Sequence, residues 1–157
     1  MIAKALIKQF QYNHFVMQKN LEGISHEDSV AQPGQYGNCI NWVLGHIVWT
    51  RNFILKLVNE PPILTGKESE VYKQGAEALR DLSNAVPFET VKNLFEDSQK
   101  TIADALGNLS DEDYGRIQDE NGDTLAEQLA GLSFHESYHA GQIGVIRRVI
   151  GKEGVLT

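Results

Sequence analysis

Two histidines, His135 and His139, stand four residues apart in a segment with clear helical periodicity. At that spacing two imidazoles leave one side of a helix about 6 Å apart along its axis, so they can chelate one metal ion. On a helical wheel of about 100° per residue, Leu125, Leu129, Leu132, Ile143, Ile146 and Ile150 define an inward arc. His139 lies within that arc and His135 at its edge. Neutral imidazoles that interrupt an apolar stripe need polar partners. A metal ion supplies them; hydrogen bonds in the core or at the surface are the alternative.

The string His135-Glu136-Ser137-Tyr138-His139 matches the H-E-x-x-H pattern of zinc proteases, in which the glutamate activates a metal-bound water. Glu136 is thus a candidate catalytic base. The surroundings do not continue the pattern. Its extended form places glycine and histidine where Gln142 and Val145 stand, and Glu153 is the one carboxylate left downstream. Glu136 reads better as a helix–helix hydrogen-bonding or surface residue. A third ligand must then come from upstream. His46, in the middle of the most apolar segment, is the best placed, although a single histidine there also suits a satisfied core position. His14, next to Asn13, and His26, in a loop, are weaker choices.

The elements that would position these residues are helical. Ile2, Leu6, Phe10, Asn13 and Met17 mark one face of a first helix, Ile2 to Asn20, with Gly23 as its stop. Ser25 to Gly37 reads as a loop. Asn38 is a fitting N-cap for a second helix, Cys39 to Asn59, which Pro61-Pro62 ends. Leu64 to Ala85 is the least regular stretch; Glu70 to Leu82 suggests a short polar helix broken by Gly75, or a lid or surface loop. A third main helix runs from about Pro87 to Gly107. Leu109 to Asp123 is acidic and turn-rich. Thr124 and Glu127 form a capping box that opens the last helix, which runs to Ile150 and stops at Gly151. The expectation is an all-α fold: a four-helix bundle with a short extra helix or lid in the middle connection, and a single domain over residues 1–157.

Composition narrows the function. The chain of 157 residues is 41% hydrophobic and 22% charged, with a net charge of -7. Such an acidic balance is a poor match for nucleic acid or an anionic membrane, and Arg147-Arg148 reads as solvated surface. Cys39 is the single cysteine, which fits a reducing, cytoplasmic setting and a structural role. No secretory h-region or membrane-length apolar run is apparent. Trp42, Trp49 and Phe53 recur at helical spacing beside His46; they suit the core, or a pocket wall.

The segment from His135 to Ile143 resembles the last-helix pattern of the DinB-like superfamily, H-x-x-x-H-x-G-Q-I, and Arg147, Arg148 and Gly151 match the way that helix ends. Asn41 to Ile47 resembles the family's upstream ligand helix, and Tyr12-Asn13 with Asn20-Leu21 its first helix. The resemblance implies a four-helix bundle, a divalent metal ion on His46, His135 and His139, and frequent homodimers. It also implies thiol-dependent S-transfer or isomerisation among the activities of the wider family. Three imidazoles leave coordination positions open, as catalytic sites do, and imidazole suits zinc, nickel, iron and copper. The expected function is a metal-dependent enzyme acting on a small molecule, an S-transferase using a low-molecular-weight thiol or a hydrolase. Zinc or nickel is the expected metal, with iron as a further fit. Gln142 and Asn13 are the expected hydrogen-bonding supports of the ligands. The alternative is a non-catalytic metal- or ligand-binding stress-response protein.

Overall fold

A computed structural model of the chain describes residues 2–35, 37–80 and 82–156. Among them the elements are α1 (Ile2–Leu21), α2 (His26–Val30), α3 (Ile40–Leu57), α4 (Gly66–Tyr72), a 3-10 turn (Leu82–Asn84), α5 (Phe88–Gly107), α6 (Asp111–Gly115) and α7 (Leu125–Val149). The all-α expectation holds. Against the expected boundaries, α3 takes Cys39 rather than Asn38 as its N-cap. The short helix of the middle connection lies at Gly66–Tyr72 rather than Glu70 to Leu82, a span that includes residue 81, outside the described residues. Two short helices stand where loops are expected. Each opens with a capping box, Ser25 with Asp28 and Ser110 with Asp113.

The four long helices pack in a ring: α1 against α5 and α7, and α3 against the same two. The apolar clusters give their directions. Leu6 and Phe10 share one cluster with Ile54 and Leu55, Ile102 and Leu106, and Leu125 and Leu129. Met17 and Leu21 share the other with Ile40 and Val43, Phe88 and Val91, and Ile143 and Ile146. Thus α1 and α7 run one way and α3 and α5 the other. Because α3 and α5 are parallel, the chain between Leu57 and Phe88 must travel back along the bundle, which needs a long crossover. That crossover carries α4, and α4 packs on α3.

A polar contact and a close approach tie α7 to the end of α1. Arg147 is not solvated surface, as expected, but buried: its guanidinium donates to the carbonyls of Asn20 (3.0 Å), Glu22 and Glu153 (2.6 Å each). A cation there satisfies carbonyls that the end of α1 leaves open. Arg148 is exposed. Gly144 lets α7 approach α1 closely, since a Cβ there would come within 3.3–3.5 Å of the Asn20 amide. No helix of the described residues is long and apolar enough to cross a membrane.

Candidate metal centre

His135 and His139 come from the middle of α7, and His46 from the facing α3. Antiparallel packing brings the three rings together. His46 Nε2 lies 3.2 Å from His135 Nε2, and His139 Nε2 lies 3.1 Å from it. All three atoms lie within 4.8 Å of one another. His46 and His139 are buried and His135 is half-buried.

The opposite nitrogens decide the protonation. His46 Nδ1 is 2.8 Å from the Tyr72 carbonyl. A carbonyl only accepts, so Nδ1 carries the proton and Nε2 a lone pair. His139 Nδ1 is 2.8 Å from Gln142 Oε1 and is fixed the same way. His135 Nδ1 has no partner among the described residues. If Nδ1 carries the His135 proton, neither Nε2 contact is a hydrogen bond and three lone pairs converge; if Nε2 carries it, one proton faces two lone pairs and Nδ1 is left a buried acceptor with no partner. A cation resolves this. Two bonds of about 2.0–2.1 Å at tetrahedral or right angles separate their nitrogens by roughly 2.9–3.4 Å, and both short separations fall in that range. The three histidines could therefore hold a metal ion.

Electrostatics favours the neutral ligand form. Burial, then the neighbouring His139 and His46, pushes His135 down to about 4. Burial also holds His46 and His139 below the usual imidazole value, against the raising effect of the Tyr72 carbonyl and of Gln142. Lone pairs are thus available at neutral pH without proton competition.

The surroundings hold His46 firmly. Its ring stacks between Trp42 (centroids 4.9 Å apart) and Trp49 (5.6 Å), one helical turn to either side. Tyr72 contributes more than its carbonyl. Its ring packs where a Cβ on Gly45 would fall. Its hydroxyl donates to Asn41 Oδ1 (2.7 Å) and accepts from the Val86 amide (3.2 Å), while Asn41 Nδ2 donates to the Val86 carbonyl (3.0 Å). Trp42 Nε1 donates to the Val71 carbonyl (3.1 Å). The crossover is thereby anchored to α3 beside the ligand.

Sequence reasoning did not reach Tyr72. The available signal was Gly45: a glycine inside an apolar helix marks a close approach.

Glu136 turns away from the triad. It is fully buried and takes Arg51 in a bidentate pair, Nε to Oε1 at 2.8 Å and Nη2 to Oε2 at 3.1 Å. Arg51 Nη1 donates to the Phe95 carbonyl (2.8 Å) and Ser98 Oγ (2.7 Å), and Nη2 also to Gln99 Oε1 (3.2 Å). All five guanidinium protons are used, and the Phe95 ring lies 4.3 Å from the guanidinium carbon. The general-base reading of Glu136 loses its geometry; the carboxylate joins α7 to α3 and α5.

Gln142 stands where support for a ligand was expected. Asn13 does not. It donates to the Ser133 carbonyl (2.9 Å) and accepts from Ser137 Oγ (2.8 Å), tying α1 to α7 without touching a triad histidine. His14 meets Glu96 (2.9 Å) and stacks on Phe95, and His26 Nδ1 accepts from the Phe88 amide, so neither joins the triad. Cys39 is buried, and burial pushes its thiol pKa up, which suits an inert residue.

A crystal structure of a conserved protein from Enterococcus faecalis has the same fold, with a TM-score of 0.74 at 14% identity over 94% of this chain and 95% of that one. No curated protein sequence matches the chain. A family profile described as the DinB superfamily matches residues 9–143, which include all three histidines. The chain belongs to the DinB superfamily.

Proposed function

We propose that this protein is a metal-dependent enzyme that holds one divalent ion on His46, His135 and His139 and acts on a small molecule by thiol-dependent S-transfer. The observation that carries the reading is the convergence of three Nε2 atoms, two of them fixed as lone-pair donors by partners at Nδ1. Three neutral imidazoles suit zinc or nickel, with iron as a further fit. A divalent ion in such a site supplies Lewis acidity that lowers the pKa of a thiol or of water.

The chain's own groups support the rest. The Tyr72 carbonyl and Gln142 set tautomer and ring orientation. Trp42 and Trp49 shield the His46 ring. The half-buried His135 marks the side from which a substrate enters. Hydrolysis of the H-E-x-x-H type, in which a carboxylate takes the proton from water, is disfavoured because Glu136, the carboxylate next to the triad in sequence, is committed to Arg51. A thiol acidified at the centre needs no such base. The exposed Phe134, Tyr138, Val145 and Val149 share the outer face of α7 and support a homodimer, which sedimentation equilibrium tests.

The deciding experiment has two steps. Elemental analysis of protein purified without added metal should give about one zinc, nickel or iron per chain. Thiol consumption in the presence of small electrophiles should then depend on that metal. Absence of stoichiometric metal refutes the centre. Metal without turnover of any thiol–electrophile pair moves the protein to the non-catalytic binding reading.

A further inference from the structure

Beyond the triad, a groove of about 660 Å³ between α3 and the start of α7 adjoins one of about 650 Å³ between α3 and the chain that follows it, and the two share Phe53, Lys56 and Asn59. None of the three histidines lines them, but Trp49 links the smaller groove to His46. On α3, Trp49 lines the second groove and stacks on His46, and Phe53 meets Trp49 edge-on at 4.8 Å. On α7, Leu132 and Gln128 line the first groove on the helical stripe that continues to His135. Lys56, ten residues past His46, stands about 15 Å along the axis from the ligand helix turn.

The charge at the far end is unusual for this chain. The net charge is -7, yet the charged residues lining the larger groove are Lys56 and Arg116, with no carboxylate among them. Among the described residues Lys56 makes no ion pair, and Arg116 has a long contact (3.9 Å) to Asp113, with both side chains well exposed. Asp119, in the loop before α7, accepts from Gln128 Nε2 (2.7 Å) and from the amides of Asn121 and Asp123 and does not line the groove. Glu60 lines only the smaller groove. The aromatic and aliphatic lining that begins at Trp49, the ring stacked on His46, therefore runs to two cations.

We infer that this groove holds the non-reacting part of a carboxylate substrate, with its aryl or alkyl body over Trp49, Phe53 and Leu132 and its carboxylate between Lys56 and Arg116. The inference names the substrate class of the site described above and rests on that reading for the reacting end only. Recognition of the anionic tail belongs to the groove itself.

The test is an NMR titration of phenylbutyrate, and of phenylbutylamine as its cationic counterpart, into chelator-treated and metal-loaded protein. Phenylbutyrate should shift the amides of Phe53, Lys56 and Leu132 in both forms and bind at least about fivefold more tightly than the amine. Lys56→Ala with Arg116→Ala should erase that preference, a change of about 1 kcal/mol. Both side chains are exposed, so the variant should fold; the acid–amine comparison on the unaltered protein stands without it. Equal affinity for acid and amine, shifts confined to other surfaces, no binding, or undiminished preference in the double variant would each overturn the inference. Failure of metal uptake would instead appear in the elemental analysis and leave the groove result standing.

Discussion

The Tyr72 carbonyl oxygen sits 2.8 Å from His46 Nδ1, so a backbone atom of the crossover sets the tautomer of a candidate metal ligand on α3. The contact needs the Tyr72 ring seated over Gly45, where α3 has no Cβ. Packing of the crossover and readiness of the centre are therefore one structural fact. Loss of the ring's seat should loosen the ligand even though no ligand has changed.

Gly45→Ala tests this. The new methyl would overlap the Tyr72 ring and push α4 away from α3. Overpacking of this kind typically costs about 1–3 kcal/mol, offset slightly by the better helix propensity of alanine. Metal affinity should fall by roughly 10–100-fold, the usual effect of losing an outer hydrogen-bond partner, while far-UV circular dichroism stays helical. Competition with a chelating dye gives the affinity and urea unfolding the stability. Unchanged affinity would show that the Tyr72 contact does not orient His46.

Parts of this site are legible in the sequence for physical reasons. His135 and His139 need only one helical repeat to meet, and Thr124 with Glu127 fixes where that helix begins. His46 stands out as a polar residue in an apolar segment, but its approach to His135 depends on the antiparallel packing of α3 and α7. The Tyr72 contact is invisible because a backbone carbonyl has no residue signature. The helices after Ser25 and Ser110 share the capping spacing of Thr124, yet they are too short for hydrophobic periodicity to register. Asn13 lies on the inward face of α1 as periodicity predicts, but that face meets the α7 backbone at Ser133 rather than the histidines.

Removal of ligands should separate the triad from the other histidines. His46→Ala, or His135→Ala combined with His139→Ala, should weaken metal binding by more than the ~100-fold attributable to an outer partner. His14→Ala and His26→Ala should change it by less than about tenfold, because both rings are engaged elsewhere. Dye competition on all four variants, with helicity checked, gives the answer. Full metal content in His46→Ala would refute the triad; a large loss in His14→Ala would reveal a missed ligand.

Glu136 should prove structural. Glu136→Ala leaves the fully buried Arg51 guanidinium without its carboxylate, which typically costs about 3–5 kcal/mol. Glu136→Gln keeps the shape and one acceptor, so it should lose less stability and retain metal and most turnover. A general base would behave differently, since its removal typically lowers rate by about 10²–10⁴-fold. Turnover at matched metal content decides. A hundredfold loss in Glu136→Gln with normal occupancy would restore the hydrolytic, H-E-x-x-H type of mechanism.

The metal-free protein should lose stability as acid is added, over a window that His135 defines. Burial and its two neighbouring imidazoles push His135 down to about 4 in the folded chain, while the unfolded value is near 6.5. Between those values the unfolded state binds a proton that the folded state refuses, so stability rises with pH across the window and falls as pH drops from about 6.5 toward 4. His46 and His139, also held low by burial, act in the same direction. Above about 6.5 both states are neutral at these positions and the contribution is flat. Urea midpoints of chelator-treated protein should therefore decline below about 6.5 more steeply than those of His135→Asn, which has no proton to take up there. Parallel declines in the two proteins would mean that His135 titrates normally and is not held neutral by its surroundings.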